Sequence, residues 1–386
     1  MIRMIIVCLL LEPSVVCEGA AITYIPNASF DANAFGTVVL GSPIWLNAAC
    51  PAPCFNPSIV ALPDSMRERL PMRAKYAAAF RFTESQCYNL AIDWDPRRQL
   101  KGMKSFFMLL DNGFAPVARV VEGRGYVHNI GLHDVRLSRH GDIVLYTGMM
   151  YAHNRARWIL RRFDLSSWRE NNHTASVWLN ATGFVHPDLN QSHVKGMGKN
   201  LGIFWSGVMD EPIKLVYWLK APHHVDVRRG LPPPPAAPHM ETLPPLHVDG
   251  YEAHNNINPI PLDDPGLHLG VLHTHSEVML PHVPGKIRQP HGTTKHGNTY
   301  IHYFFAFRTV PPYEVVAKSP PFCFSSAADA RRCDAIQFIT SIDRTRHDQL
   351  LVSYGINDCE AAVVKLAWRD VLNFTFGPLA AQVNLA

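Results

Sequence analysis

The chain has 386 residues, 47% of them hydrophobic and 18% charged, with a formal net charge of +4. Such values describe a folded chain, not a disordered one, and the mild charge without a Lys/Arg block argues against a protein that tracks nucleic acid. The 31 prolines and 24 glycines break the sequence often, which suits many short strands joined by loops.

The first residues, "MIRMIIVCLLLEPSVVCEGAA", combine Arg3, an apolar run from Met4 to Leu11, and the small residues Gly19 and Ala20. This layout predicts a secretory signal peptide over 1–19, the other reading being a buried first strand. The apolar run is far shorter than the roughly 20 residues a spanning helix needs, and no later segment comes closer, so no transmembrane helix is expected. Cleavage would remove Cys8 and Cys17 and leave six cysteines: Cys50, Cys54, Cys87, Cys323, Cys333 and Cys359. An even set suits disulfides, with Cys50–Cys54 and Cys323–Cys333 the closest in sequence. Sequons at Asn27, Asn172, Asn180, Asn190 and Asn373 agree with a lumenal (ER or Golgi) or secreted protein.

Along the chain one unit recurs: an apolar strand opened by polar residues, a turn, and a second strand rich in aromatics. It reads at 55–82, 132–151, 199–219, 291–307 and 336–356. A third strand often follows, at 157–165, 313–319 and 361–368. Five irregular copies of a strand meander predict an all-β, five-bladed propeller in a single domain over 20–386. A pair of β-sandwiches would show similar alternation. The stretch "GLPPPPAAPHMETLPPLHVDG" (230–250) reads as a proline-rich insertion between blades.

In a propeller the polar residues opening each copy converge at the axial mouth. They are Asn56, Asp134, Arg136, Lys199, Asn200, His291 and Thr293. Scattered positions thereby become one concave polar cluster on a rigid scaffold.

The segments "FNPSI", "HDVRL", "GKNLGIFW" and "LLVSYGINDCEAAVVKL" resemble blade motifs of the inverting β-mannoside phosphorylases (glycoside hydrolase family 130) and the related β-1,2-mannosyltransferases. The resemblance runs from about Phe55 to Leu366. It implies a five-bladed propeller, Asp134 as general acid, Lys199 as a phosphate holder, and Arg155 or Arg157 as a phosphate-binding arginine. Departures are Val135 in place of the family's proline, His133 before the aspartate, and "HGTTKHGN" in the fourth copy.

The chemistry fits these residue types. Glycosyl transfer needs a proton given to a departing oxygen, or taken from an attacking hydroxyl, at the anomeric carbon. Cations beside that carbon brace phosphate in either direction. The reading is therefore a glycosyltransferase or inverting phosphorylase for β-linked, mannose-like hexose. It needs no cofactor, takes inorganic phosphate or a sugar-nucleotide donor (or a sugar 1-phosphate) as co-substrate, and acts on a glycan or glycoprotein acceptor. A second reading is an inactive propeller that binds carbohydrate or protein through the same funnel. At residue level, Asp134 and Arg136 at i, i+2 could instead form a structural ion pair. Asn357, Asp358 and Glu360 read as turn formers. His273 and His275 with Glu277 could hold a cation, although no zinc-module spacing is present and no metal is expected.

Overall fold

A computed structural model of the chain describes residues 29–46, 54–70, 73–83, 103–122, 132–152, 155–163, 165–171, 174–179, 201–204, 213–217, 220–225, 247–248, 251–277, 298–310, 313–326, 329–334, 336–345, 348–357 and 359–378. Among them the chain is all-β apart from a 3-10 turn at Ala32–Phe35 and helices at Asp64–Arg67 and Trp368–Phe376. The expected signal peptide lies outside the described residues. So does most of the proline-rich stretch, although His247–Val248 pairs with Tyr251–Asn255. No helix among the described residues is long and apolar enough to cross a membrane.

Four of the five expected meanders form as the alternation of their side chains requires. Cys54–Ala61, Tyr76–Thr83, Met103–Leu110 and Pro116–Glu122 pair antiparallel in that order. Thr174–Leu179 and then Leu165–Asn171 extend that sheet. Leu132–His140, Ile143–Ala152 and Arg155–Arg162 make the second, its first hairpin turning at Gly141, whose φ of 60° suits glycine. Leu201–Phe204, Ile213–Tyr217 and Lys220–Val225 make the third. Gln337–Arg344, Gln349–Ile356 and Glu360–Ala367 make the last, and Ile44–Trp45 from the N-terminal part adds its fourth strand.

The fourth meander starts earlier than its sequence pattern indicates. Asn298–Arg308, expected as the aromatic second strand of this copy, lies inside its sheet, paired with Leu267–Glu277 on one side and Val315–Lys318 on the other. The opening position belongs to Tyr251–Asn255 and Ile260–Pro261, both paired with Leu267–Glu277. His291 and Thr293, expected to open this copy, lie outside the described residues. The "HNNINPIP" segment hides its role because three asparagines replace the apolar alternation. They are buried nonetheless, Asn255 Nδ2 donating to the Ile257 carbonyl at 2.9 Å.

Cores lie between the sheets. Val60, Ala77, Leu109, Val135, Leu137 and Tyr146 fill the space between the first and second. Ile59, Phe80, Leu110, Leu351 and Val363 fill that between the last and the first. Leu269, Phe304, Phe322, Ile339, Val352 and Tyr354 join the fourth to the last, covered by the C-terminal helix through Trp368 and Leu372. On that helix Asn373 is exposed while the Thr375 hydroxyl donates to the Val371 carbonyl at 2.7 Å. A disulfide links Cys323 to Cys333, and Cys54 and Cys359 are also disulfide-bonded.

The opening strands of different sheets are stitched side by side. The Leu137 N–H donates to Ser58 Oγ at 2.7 Å, and the Ile59 N–H donates to Ser341 Oγ at 2.8 Å. The Ala61 N–H donates to Asp343 Oδ2 at 2.7 Å, and Arg139 Nε donates to Asp343 Oδ1 at 3.2 Å. The Thr340 hydroxyl donates to the Pro57 carbonyl, and Asn258 Nδ2 to the Arg136 carbonyl at 3.4 Å. Opening strands from the first, second, fourth and last sheets are therefore in mutual contact. Glycine permits the closest approach: a Cβ on Gly355 would lie 2.2 Å from Asn56 Oδ1, and one on Gly202 2.3 Å from the Ile257 carbonyl oxygen.

Gly355→Ala should therefore cost about 1–3 kcal/mol in urea unfolding, since overpacking against backbone has no rotamer escape. A second expectation concerns pH. Burial raises the Asp343 carboxyl to about 6, against the pull of Arg139 and the Ala61 N–H. Burial likewise raises Asp334 to about 6, against hydrogen bonds from Ser326 and Gln337. Between the ordinary value of 3.8 and about 6 the native state binds more protons than the unfolded chain. Stability should thus fall as pH rises through that window, and fall less steeply in Asp343→Asn or Asp334→Asn.

Candidate functional site

The pleat of a regular strand sends successive side chains to opposite faces, so a residue aimed elsewhere needs a break in the ladder. The first two opening strands share one such break. Register shifts between Phe55 and Ser58, and between His133 and Arg136. In each bulge one residue takes a left-handed backbone: Asn56 at φ 49° and Asp134 at φ 50°. Asn and Asp are the side-chain-bearing residues that tolerate this region best. The last opening strand has a register shift between Ile339 and Ser341, around Thr340.

Asp134 is 2% exposed and accepts a hydrogen bond from Arg81 Nη1 at 2.8 Å, Arg81 itself being 5% exposed. The Arg81 guanidinium sits 5.2 Å above the Phe55 ring, beside Asn56. A strand of the first sheet thus reaches the bulge of the second. Arg136 is fully buried, and burial pulls its guanidinium down to about 10 while Asp134 opposes the shift.

The sequence placed Asp134 and Arg136 on one strand face. The bulge between them breaks that alternation, and the ion pair runs to Arg81 instead. Arg81 was not among the expected site residues. Its signal was a lone charge ending the apolar run "KYAAAF". Asn56 is buried, and its Oδ1 has no hydrogen-bond partner. Asn256, also unforeseen, is buried with its Oδ1 bonded to His273 Nδ1 and its Nδ2 unpartnered.

Arg155 and Arg157 lie on the third strand of the second sheet. Arg157 is opposite Met150, which is opposite Leu132 near the bulge. That is two strand spacings, about 10 Å, from the opening strand. Lys199, Asn200, His291 and Thr293 are outside the described residues, as is Asp358. Asn357 has φ 51°, and its Oδ1 accepts from the Ile336 N–H at 3.1 Å, a turn-closing contact. His273 is fully buried, and its Nδ1 contact with Asn256 occupies one of the two nitrogens a metal would use. Among the described residues no group of three His, Cys, Asp or Glu side chains is arranged to hold a metal ion.

No protein-family model matches the chain, and no curated protein matches it by sequence. Solved structures do resemble it. A putative glycoside hydrolase from Bacteroides ovatus is 13% identical with a TM-score of 0.50, the match covering 90% of this chain and 95% of that one. A putative glycosidase from Bacteroides thetaiotaomicron is 12% identical with a TM-score of 0.50 and the same coverage. The similar structures also include a β-1,2-mannobiose phosphorylase from Listeria innocua, at 11% identity and a TM-score of 0.42 over 83% of this chain and 91% of that one. At such identities the shared property is the fold.

Arg81→Met should destabilise the protein by about 3 kcal/mol, because it takes from a buried carboxylate an ion partner at 2.8 Å. The Arg81→Met/Asp134→Asn double variant should recover part of the loss. A double-mutant cycle in urea reads the coupling, and strict additivity would show that the pair is not energetically linked.

Proposed function

We propose that the chain is a carbohydrate-active enzyme built on a five-bladed β-propeller, a glycosyltransferase or inverting phosphorylase for β-linked, mannose-like hexose, with Asp134 as the proton-transfer residue. The observation that carries this reading is the buried carboxylate at the Asp134 bulge, set between Arg81 and Arg136. The order of the sheets supports the propeller: the cores join the fourth to the last, the last to the first, and the first to the second. The fold shared with Bacteroides proteins described as a putative glycoside hydrolase and a putative glycosidase supports the substrate class.

In the transferase direction the acceptor hydroxyl loses its proton to Asp134 and attacks the anomeric carbon of a sugar nucleotide. The bond from that carbon to the phosphate oxygen breaks on the opposite face. In phosphorolysis, phosphate attacks the anomeric carbon, the glycosidic carbon–oxygen bond breaks, and a protonated Asp134 gives its proton to the departing oxygen. The Arg81 guanidinium at 2.8 Å accompanies Asp134 in either direction. Arg136 braces the site, while Arg155 or Arg157 and Lys199 are the cations assigned to phosphate. Asn56 and Asn200, with His291 and Thr293, are assigned to sugar hydroxyls. No cofactor is required. The disulfides support an oxidising compartment such as the secretory lumen.

A second reading, a propeller that binds glycan without turnover, is favoured by the same ion pair, which occupies the carboxylate in the resting state. The decisive experiment incubates the purified protein with GDP-mannose, other sugar nucleotides and sugar 1-phosphates plus glycan acceptors, detecting products by mass. Asp134→Asn should lower turnover by about 10²–10⁴-fold while ligand binding persists. Undiminished turnover in that variant would remove Asp134 from the chemistry, and glycan binding without turnover in the native protein would select the second reading.

A further inference from the structure

The core between the fourth and last sheets is closed by rings that are wholly buried: Phe304, Phe322, Phe324 and Tyr354 are each 0% exposed. Two rings at one end of it depart from that pattern. Phe338, on the last opening strand, and Tyr300, on the fourth sheet, are both only partly buried. Their centroids are 6.1 Å apart at an interplanar angle of 59°.

A rigid base holds both. His273 stands edge-on to Tyr300 at 4.9 Å and 68°, and to Phe338 at 5.7 Å and 82°. The His273 ring is fixed from below by its hydrogen bond to Asn256 Oδ1 and by stacking on His254 at 5.2 Å. The remaining polar atom of Asn256, Nδ2, is buried without a hydrogen-bond partner. Burying an amide donor without an acceptor is costly.

The cluster also lies at the end of the opening strands that carries Asp134. Phe338 is two residues before Thr340, whose hydroxyl donates to the carbonyl of Pro57, next to Asn56. Asn256 is two residues before Asn258, which donates to the carbonyl of Arg136, two residues beyond Asp134.

We propose that Tyr300 and Phe338, backed by His273 and Asn256, form a binding subsite for a neutral hexopyranose ring, the acceptor sugar of the reaction proposed above, on which this inference rests. A pyranose presents an apolar C–H face and a polar rim. Angled, partly buried rings match the face. Among the described residues the cluster includes no carboxylate, lysine or arginine, so it suits a neutral ring.

The test measures binding of methyl β-mannoside and mannobiose to full-length Asp134→Asn protein by calorimetry and saturation-transfer NMR. Turnover is followed separately in the protein with Asp134 intact. Phe338→Ala and Tyr300→Ala should each weaken sugar binding about tenfold. Phe338→Tyr and Tyr300→Phe should keep the affinity, and the intact-site variants should raise KM for acceptor more than they lower kcat. Alanine variants that melt like the parent and bind sugar equally well would overturn the subsite while leaving the proposed function standing. A parent that binds neither sugar also overturns it. Turnover by the native protein then tells whether the proposed function falls with it.

Discussion

The inner edges of several sheets meet side by side without forming a shared backbone ladder, and every N–H and carbonyl facing that junction needs a partner. Side chains supply them. Ser58 takes the N–H of Leu137, Ser341 that of Ile59, Asp343 that of Ala61, while Thr340 and Asn258 give to carbonyls of other opening strands. A buried backbone donor left unmet costs roughly as much as a lost hydrogen bond, so the junction is polar by necessity. This is why small hydroxyl, amide and carboxyl residues sit in strands that otherwise read as core. Glycine at 355 and 202 completes the arrangement by letting backbone approach side chains and carbonyls more closely than a Cβ allows.

The candidate site is a by-product of that junction. Bulges at Asn56 and Asp134 interrupt the regular pairing and set one polar residue in each of these two opening strands out of the pleat. The turned carboxylate meets Arg81 from the adjacent sheet, so that the pair bridges two meanders. Two buried guanidiniums stand near one carboxylate there, whereas the Tyr300–Phe338 corner between the fourth and last sheets is built of aromatic rings. One end of the opening strands thus carries an ionic cluster and an aromatic one.

Much of the architecture was legible. Alternating apolar strands with Gly, Pro and Asx turns fixed the all-β class, and four meanders formed where the pattern put them. The fourth was displaced because Asn255, Asn256 and Asn258 look like loop residues, and only their burial reveals a strand region. The Asn-Pro pair at 258–259 repeats the one at 56–57 and was the overlooked cue. Asp134 stood out as a charge at the head of an apolar strand. Arg81 did not, since a single arginine near a strand end is ordinary until its partner is known.

The sequence by itself determined the period-two strands, the turns between them, and which residues could bear a left-handed backbone or a buried charge. These are local properties, governed by sterics and by side-chain polarity over a few neighbours. Tertiary structure alone decided that Asp134 pairs with Arg81 and not with Arg136, and that Phe338 meets Tyr300. Those partners lie 53 residues apart in the first case, as the ion pair records, and on different sheets in the second. Contacts of that range depend on how whole sheets pack, which no local pattern encodes.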